Sequence, residues 1–305
     1  MACWYSLNEY YQKKFDGRVL KIPVSAGFTC PNRDGTRSTG GCIYCDNAAF
    51  SPVLAQGKSA ENIEMQIERG MRGRIRRPKN LKGYIAYFQS FSNTYGPLET
   101  LKDLYGRALG MGNILGMAVG TRPDCVDAQR INLLASYTDE HFVSVEYGLQ
   151  SANDQTLQRI NRGHTAAEFK EAVLRTAGRE IHICAHVILF LPGERAEDMM
   201  QTADFISALP VDSVKIHHLH VVRGTQLEAE YRQGRIPLPS ADEYIPVLCS
   251  FIERLRPDMV VQRIMGDTPR HMLAAPGWTL EKNRITERLK QEFKRRGSRQ
   301  GDRYV

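Results

Sequence analysis

No apolar run in this sequence approaches the ~18 residues needed to span a bilayer, so neither a membrane protein nor a membrane partner is expected. The opening stretch, MACWYSLNEYYQKKFDGRVL, lacks the basic segment, apolar core and small-residue cleavage site of a secretory signal, and the expected location is cytoplasmic. No internal repeat is visible, and low complexity is confined to the polar end RRGSRQGDRYV, expected to be a disordered tail. Cysteines number seven, an odd count. In a reducing compartment they read as metal ligands, catalytic thiols or core residues before they read as disulfides.

With 42% hydrophobic and 25% charged residues the chain has ordinary globular composition, and 305 residues allow one large α/β domain or two smaller ones. Short β-rich apolar runs recur at RVLKIPVS, GYIAYFQ, NILGMAVGT, HFVSVEYGLQ, IHICAHVILFLPG and DSVKIHHLHVV, separated by amphipathic segments such as DQTLQRINRGHTAAEFKEAVLRTAG. Strands each followed by a helix predict an α/β fold with a parallel sheet, either an open sheet or a full or partial barrel. In both, functional groups gather at the C-terminal strand ends, where Gln89, Glu146, Gln150, His186, Lys215 and His217 fall. Farther on, SADEYIPVLCSFIERL predicts a helix with a Ser240–Glu243 capping box, and MVVQRIMGD a further strand. The last helix is expected to bury a stripe of Leu280, Ile285, Leu289 and Phe293.

Three of the cysteines, Cys30, Cys42 and Cys45, stand in a Gly-rich polar loop, GFTCPNRDGTRSTGGCIYCDNAAF, after the first strand. A structural zinc site wants four ligands, and no fourth Cys or His follows at finger-like spacing; the nearest downstream histidine is His141. A [4Fe–4S] cluster held by three thiolates keeps one iron open to a small molecule. Spacing alone leaves cluster, zinc and coincidence as alternatives. Cys3, Cys125, Cys184 and Cys249 have no ligand spacing and are expected to be core or incidental. Asp124 in TRPDC is expected to cap a strand-helix turn. Strand alternation puts His217 on one face and His218 with His220 on the other, which speaks against a second metal site.

GFTCPNRDGT, GGCIYC, YFQSFSNTY, VGTRPDCV, VEYGLQSANDQTLQRINRGH, HVILFLPGE and VKIHHLHVVRGT follow one another in an order and spacing that resembles the radical S-adenosylmethionine (SAM) proteins of the YtqA/YhcC (MnmL-type) family. These are relatives of the Elongator catalytic subunit without its acetyltransferase domain. The resemblance spans Tyr5 to about Arg296. It implies a partial (β/α)6 TIM-like barrel as a radical SAM core over residues 1–235, with a basic helical extension over 236–305.

It further implies that Cys30, Cys42 and Cys45 ligate a [4Fe–4S] cluster and that Tyr44 lies against SAM. Gln89, Ser90, Ser92 and Asn93 would hold the SAM amino group, Gln150 the ribose and Arg162 the carboxylate. His186 would touch ribose or adenine, and Glu146 SAM or substrate. Lys215 and His217 are candidate substrate contacts. The implied reaction is reductive SAM cleavage and hydrogen abstraction from a modified wobble uridine of tRNA, turning a carboxymethylaminomethyl group into aminomethyl, with an external one-electron reductant of flavodoxin or ferredoxin type. One departure stands out: Phe190 occupies the first glycine position of the related GLPGE motif.

Charge bears on the tRNA partner independently. The net charge is +7, and the stretch from Glu281 onward carries nine Lys or Arg against four acids. Arg69–Lys82 adds seven more with no acid. Such patches suit a phosphate backbone, the alternative being solvated surface. A small-molecule or protein substrate, and a non-catalytic metal-stabilised nucleic-acid binding protein, are the rival readings.

Overall fold

The computed structural model describes residues 3–51, 54, 57, 62–73 and 78–305, without the side chain of Phe50. Seven strands alternate with helices: β1 Arg18–Val24, β2 Leu81–Phe88, β3 Ile114–Thr121, β4 Phe142–Gln150, β5 His182–Leu189, β6 Ser213–His218 and, after a two-residue strand β7 (Val221–Val222), β8 Val260–Arg263. They pair in parallel in the order β1-β2-β3-β4-β5-β6-β8 and curl into a half-barrel. The run around Val260 therefore adds a seventh strand to the six of the core, so the C-terminal segment shares the sheet. β7 pairs antiparallel with β9, Leu273–Ala275, in a separate ribbon.

Helices pack against both faces of the sheet, Tyr11 of the first being buried with Val19, Ile85, Tyr87 and Ala118 on the side opposite Ile22, Tyr84, Ala86 and Phe88, which explains why the strands read as nearly continuous apolar runs. They are α1 Leu7–Phe15, α2 Asn47–Phe50, α3 Ile63–Arg72, α4 Leu98–Leu109, α5 Ala128–Ala135, α6 Asp154–Arg159, α7 Ala166–Thr176, α8 Ala196–Ser207, α9 Gln226–Arg232, α10 Ala241–Arg254 and α11 Lys282–Arg296. Sequence marks several starts: Thr165 with Glu168 and Ser240 with Glu243 form capping boxes on α7 and α10, and Asp127 caps α5. Asp124 is no helix cap. It sits in a short 3-10 turn with its carboxylate on the Arg122 guanidinium at 2.8 and 2.9 Å.

The amphipathic stretch after β4 splits into α6 and α7. Asn161 and Gly163 take left-handed backbone angles, φ +52° and +73°, and end the first helix sharply. On α11, Ile285, Leu289 and Phe293 are buried against α10, each burial stabilising by roughly 1.5–3 kcal/mol. Leu280 departs from that stripe: it precedes the helix and is 45% exposed. The polar C-terminus is ordered, against expectation. Gln300 is buried, donates to the carbonyls of Arg256 (2.6 Å) and Met259 (2.7 Å) and accepts from the Tyr5 amide (2.8 Å). Those bonds tie the tail to β8 and to the N-terminus.

Candidate active site

A cavity of about 980 Å³ opens on the half-barrel. Cys30, Cys42, Tyr44, Cys45, Gln89, Ser92, Glu146, Gln150, Arg162, His186, Lys215 and His217 all contribute to its wall. Ser90 and Asn93 do not line it. The Asn93 amide donates to the carbonyls of Phe88 (3.1 Å) and Gly120 (2.8 Å), joining the ends of β2 and β3 behind the wall. Ser90 is buried beside that turn.

The cysteine loop owes its shape to glycines. Gly35, Gly40 and Gly41 have φ of +89°, +79° and +80°, angles that L side chains resist. The Arg33 amide donates to Cys30 O (2.7 Å), the Gly41 amide to Asn32 O (2.8 Å) and the Cys45 amide to Cys42 O (2.9 Å), so the backbone folds around the thiols. The α6–α7 turn clamps this loop from outside: Ile43 N donates to Ile160 O (3.1 Å) and Asn161 Nδ2 to Gly41 O (2.8 Å).

Arg162, in that same turn, is buried and uses three of its five N–H donors within the protein. It donates to Gly148 O (2.7 Å), His164 Nε2 (2.9 Å) and Cys42 Sγ (3.6 Å). Glycine at 148 leaves the room, since a Cβ there would stand 2.5 Å from Arg162 Nη2 and 2.8 Å from Gln150 Nε2. Burial, reinforced by Cys42, pushes the Cys45 thiol up to about 11; ligation would have to displace that proton.

Across the floor runs a buried polar network. The Glu146 carboxylate accepts from Lys21 Nζ (2.7 Å), His186 Nε2 (2.9 Å) and Lys215 Nζ. Lys215 also donates to the Tyr87 hydroxyl (2.9 Å), and Lys21 to Gln262 Oε1 (2.9 Å). Burial alone would raise the Glu146 carboxyl, but the Lys21 and Lys215 charges and the His186 hydrogen bond outweigh it and hold it well below the usual range. Burial, only partly offset by Glu146 and reinforced by Lys21, pushes Lys215 down to about 7. Burial likewise pushes His186 down to about 4 and His217 well below the ordinary imidazole.

His217 Nε2 is buried with no hydrogen-bond partner among the described residues. Against the expectation from strand alternation, His218 and His220 border the same cavity, the strand ending at His218, and their Nε2 atoms meet Thr279 Oγ1 (2.8 Å) and Thr268 Oγ1 (2.6 Å). The far rim carries Arg263, Asp267, His271, Leu280 and Lys282 from the C-terminal segment.

The residues fit a cluster better than a single ion. A tetrahedral zinc draws its sulfurs together, yet among the described residues the one group of three candidate ligand atoms within 4.8 Å of one another is Glu146, Cys184 and His186. Two lysine ammoniums already occupy that carboxylate. The three loop thiols are more widely spread around one wall, no other cysteine lines the cavity, and a fourth ligand position is left to a small molecule.

Sequence reasoning missed Lys21, Tyr87, Gln262 and Asn32. A lysine in the apolar run RVLKIPVS is a signal for the first, because an unpaired charge does not sit in a strand facing a core. Asn32 gives no such signal, since its role depends on the α6–α7 turn, far away in sequence.

Comparison with known families agrees with this geometry. Residues 33–206 match the Radical SAM superfamily and residues 211–295 the Radical_SAM C-terminal domain, so the chain belongs to the radical SAM superfamily, whose members use a [4Fe–4S] cluster and SAM. Within it, the chain is 34% identical over 298 residues to the uncharacterized protein YtqA of Bacillus subtilis, covering 98% of this chain and 92% of that one. It is 28% identical over 187 residues to the tRNA uridine(34) acetyltransferase of Dehalococcoides mccartyi, covering 59% of this chain and 39% of the other. Among solved structures, the Elp3 of the archaeon Methanocaldococcus infernus shares the fold at 16% identity with a TM-score of 0.58; the match covers 92% of this chain and 64% of that one.

Proposed function

We propose that this radical SAM enzyme abstracts hydrogen from the side chain of a modified wobble uridine in tRNA and converts a carboxymethylaminomethyl group to aminomethyl, the substrate radical giving one electron back to the cluster and water hydrolysing the resulting imine, so that the C–N bond breaks and the two carbons leave as glyoxylate. The observation that carries the reading is one large cavity with three cysteines on one wall and a buried Lys21–Glu146–Lys215 network on its floor. When bound, the cluster and SAM supply one-electron cleavage of the SAM C5′–S bond and a hydrogen-abstracting radical. An external one-electron reductant of flavodoxin or ferredoxin type completes the requirement.

The chain's own residues position and exclude. Arg162 and Gln150, crowded beside Gly148, are placed to hold the SAM carboxylate and ribose. Tyr44 would lie against the nucleoside, Gln89 and Ser92 offer polar atoms at the wall, and Asn93 fixes the turn that presents them, with Ser90 buried beside it. Glu146 and His186, on the cavity floor, would lie within reach of bound SAM or substrate. Buried Lys215 and half-buried His217, whose Nε2 has no hydrogen-bond partner among the described residues, would face the substrate and shield the reacting atoms from water.

The tRNA half of the reading draws on the uridine-34 relative and on Arg263 and Lys282 at the cavity rim, which together set two positive charges against the single carboxylate of Asp267. It draws less on the C-terminal helix. From Lys282 to Arg303, eight of the nine Lys and Arg are paired with acids, Lys294 being the exception among the described residues. Of the second basic run, residues 74–77 lie outside the described residues. That internal pairing favours a second reading, a small-molecule or protein substrate in the same cavity.

The test is nucleoside mass spectrometry of tRNA carrying carboxymethylaminomethyluridine, incubated anaerobically with reduced, cluster-loaded enzyme and SAM. Loss of the carboxymethyl mass at the wobble position supports the reading. SAM turnover that leaves every tRNA nucleoside unchanged transfers the site to the second one.

A further inference from the structure

Two buried side chains converge on a single cysteine sulfur. Asn32 Nδ2 lies 3.7 Å and Arg162 Nη1 3.6 Å from Cys42 Sγ, both within N–H···S reach of that large acceptor. Cys45 Sγ is met by the half-buried Asn47 Nδ2 at 3.8 Å and by the guanidinium of Arg33, an exposed residue, so that buried donors are confined to Cys42.

The surroundings hold both donors in place. Asn32 Nδ2 also donates to the Asn161 carbonyl, so its amide is oriented by the α6–α7 turn. A Cβ at Gly163 would stand 2.3 Å from Asn32 Oδ1, and one at Gly148 2.5 Å from Arg162 Nη2. Gly163 further requires φ +73°. Arg122 Nη1 donates to the Arg162 carbonyl at 2.7 Å and fixes the backbone from the other side. Two glycines and a second arginine thus make room for, and aim, a guanidinium and an amide at one sulfur.

We propose that Asn32 and Arg162 set the reduction potential of the cluster by donating hydrogen bonds to the Cys42 sulfur. Reduction adds negative charge to the cluster, and N–H donors and a buried cation stabilise that charge, so their presence raises the potential. Cys42 is the ligand on which the effect concentrates. The proposal rests on the three cysteines holding the cluster and is independent of the tRNA reading. Asn32 and Arg162 are positioning residues in this role.

The test is a potentiometric titration of the anaerobically reconstituted full-length protein, without SAM or tRNA, followed by electron paramagnetic resonance of the reduced cluster. Wild type is compared with Asn32→Ser, Arg162→Gln and Arg162→Lys at matched iron content. Asn32→Ser and Arg162→Gln are expected to move the midpoint to more negative potential, and Arg162→Lys, which keeps a charge, to recover part of the shift. Asn32→Ser is the milder change and carries the test where Arg162→Gln fails to load. A midpoint equal to wild type in loaded Asn32→Ser, or one displaced to positive potential, overturns the proposal. Because SAM is absent, a shift in Arg162→Gln cannot arise from lost SAM binding.

Discussion

Replacing Glu146 with Gln removes the one carboxylate that two buried lysines share. Its side chain is fully buried, and it accepts from Lys21, Lys215 and His186. Removing one partner of such a group costs about 3–5 kcal/mol, because the remaining charges stay buried without compensation. Lys215 makes the cost depend on pH. Its native value of about 7 lies below the ordinary 10.5, so its charged form opposes folding. That penalty is complete below about pH 7 and is lifted as pH rises towards the ordinary value. Glu146 is held below the usual carboxylate range, so its own stabilising charge is present throughout neutral and alkaline pH. At pH 6, then, wild type uses Glu146 to hold two ammoniums, while at pH 9 Lys215 is already neutral and only Lys21 loses its partner. Urea unfolding followed by circular dichroism should show Glu146→Gln destabilised by about 4 kcal/mol at pH 6. At pH 9 the loss should fall to about 2 kcal/mol, the scale of unmade buried hydrogen bonds. Adding Lys215→Met should recover part of the loss at pH 6. A loss under about 1 kcal/mol at pH 6, or one equal at both pH values, refutes the reasoning, since it would mean that the floor is solvated like a surface pair.

Gly148→Ala should leave the fold intact yet lower SAM cleavage by at least about tenfold, the equivalent of 1.4 kcal/mol, because its Cβ displaces Arg162 and Gln150; wild-type turnover would contradict this. Gln300→Ala should destabilise by about 2 kcal/mol, because two carbonyls and the Tyr5 amide lose their buried partner, and thermal melts measure it. In tRNA binding at several salt concentrations, Lys294→Ala, which removes the C-terminal cation without an acidic partner among the described residues, should reduce the slope of log affinity against log salt by about 1. Lys290→Ala, whose ammonium is paired with Glu287, should leave the slope closer to wild type.

Much of the architecture was legible because local signals agree with the global fold. Apolar strand runs separated by capped amphipathic helices specify parallel α/β winding, and the capping box at Ser240 marks its helix start correctly. The cysteine loop announces itself through left-handed glycines around three thiols. What escaped was non-local. Leu280 continues the apolar spacing of α11, but it precedes the first helical turn and faces the cavity mouth. The tail sequence is polar throughout, yet Gln300 finds three backbone partners from two distant segments, a fit that composition cannot display. The basic C-terminal helix illustrates the same limit: counting charges reveals a patch, whereas its partners Asp242, Glu253 and Asp267 come from elsewhere in the chain. Phe190 adopts φ +66° where the related motif has glycine, so the backbone shape is retained although the residue is not.

The most direct test of the account is anaerobic. The protein is reconstituted with iron and sulfide, reduced, mixed with SAM and assayed for 5′-deoxyadenosine beside Cys42→Ala. The account predicts product from wild type and none above background from the variant. A wild-type protein that holds zinc and leaves SAM intact would contradict it.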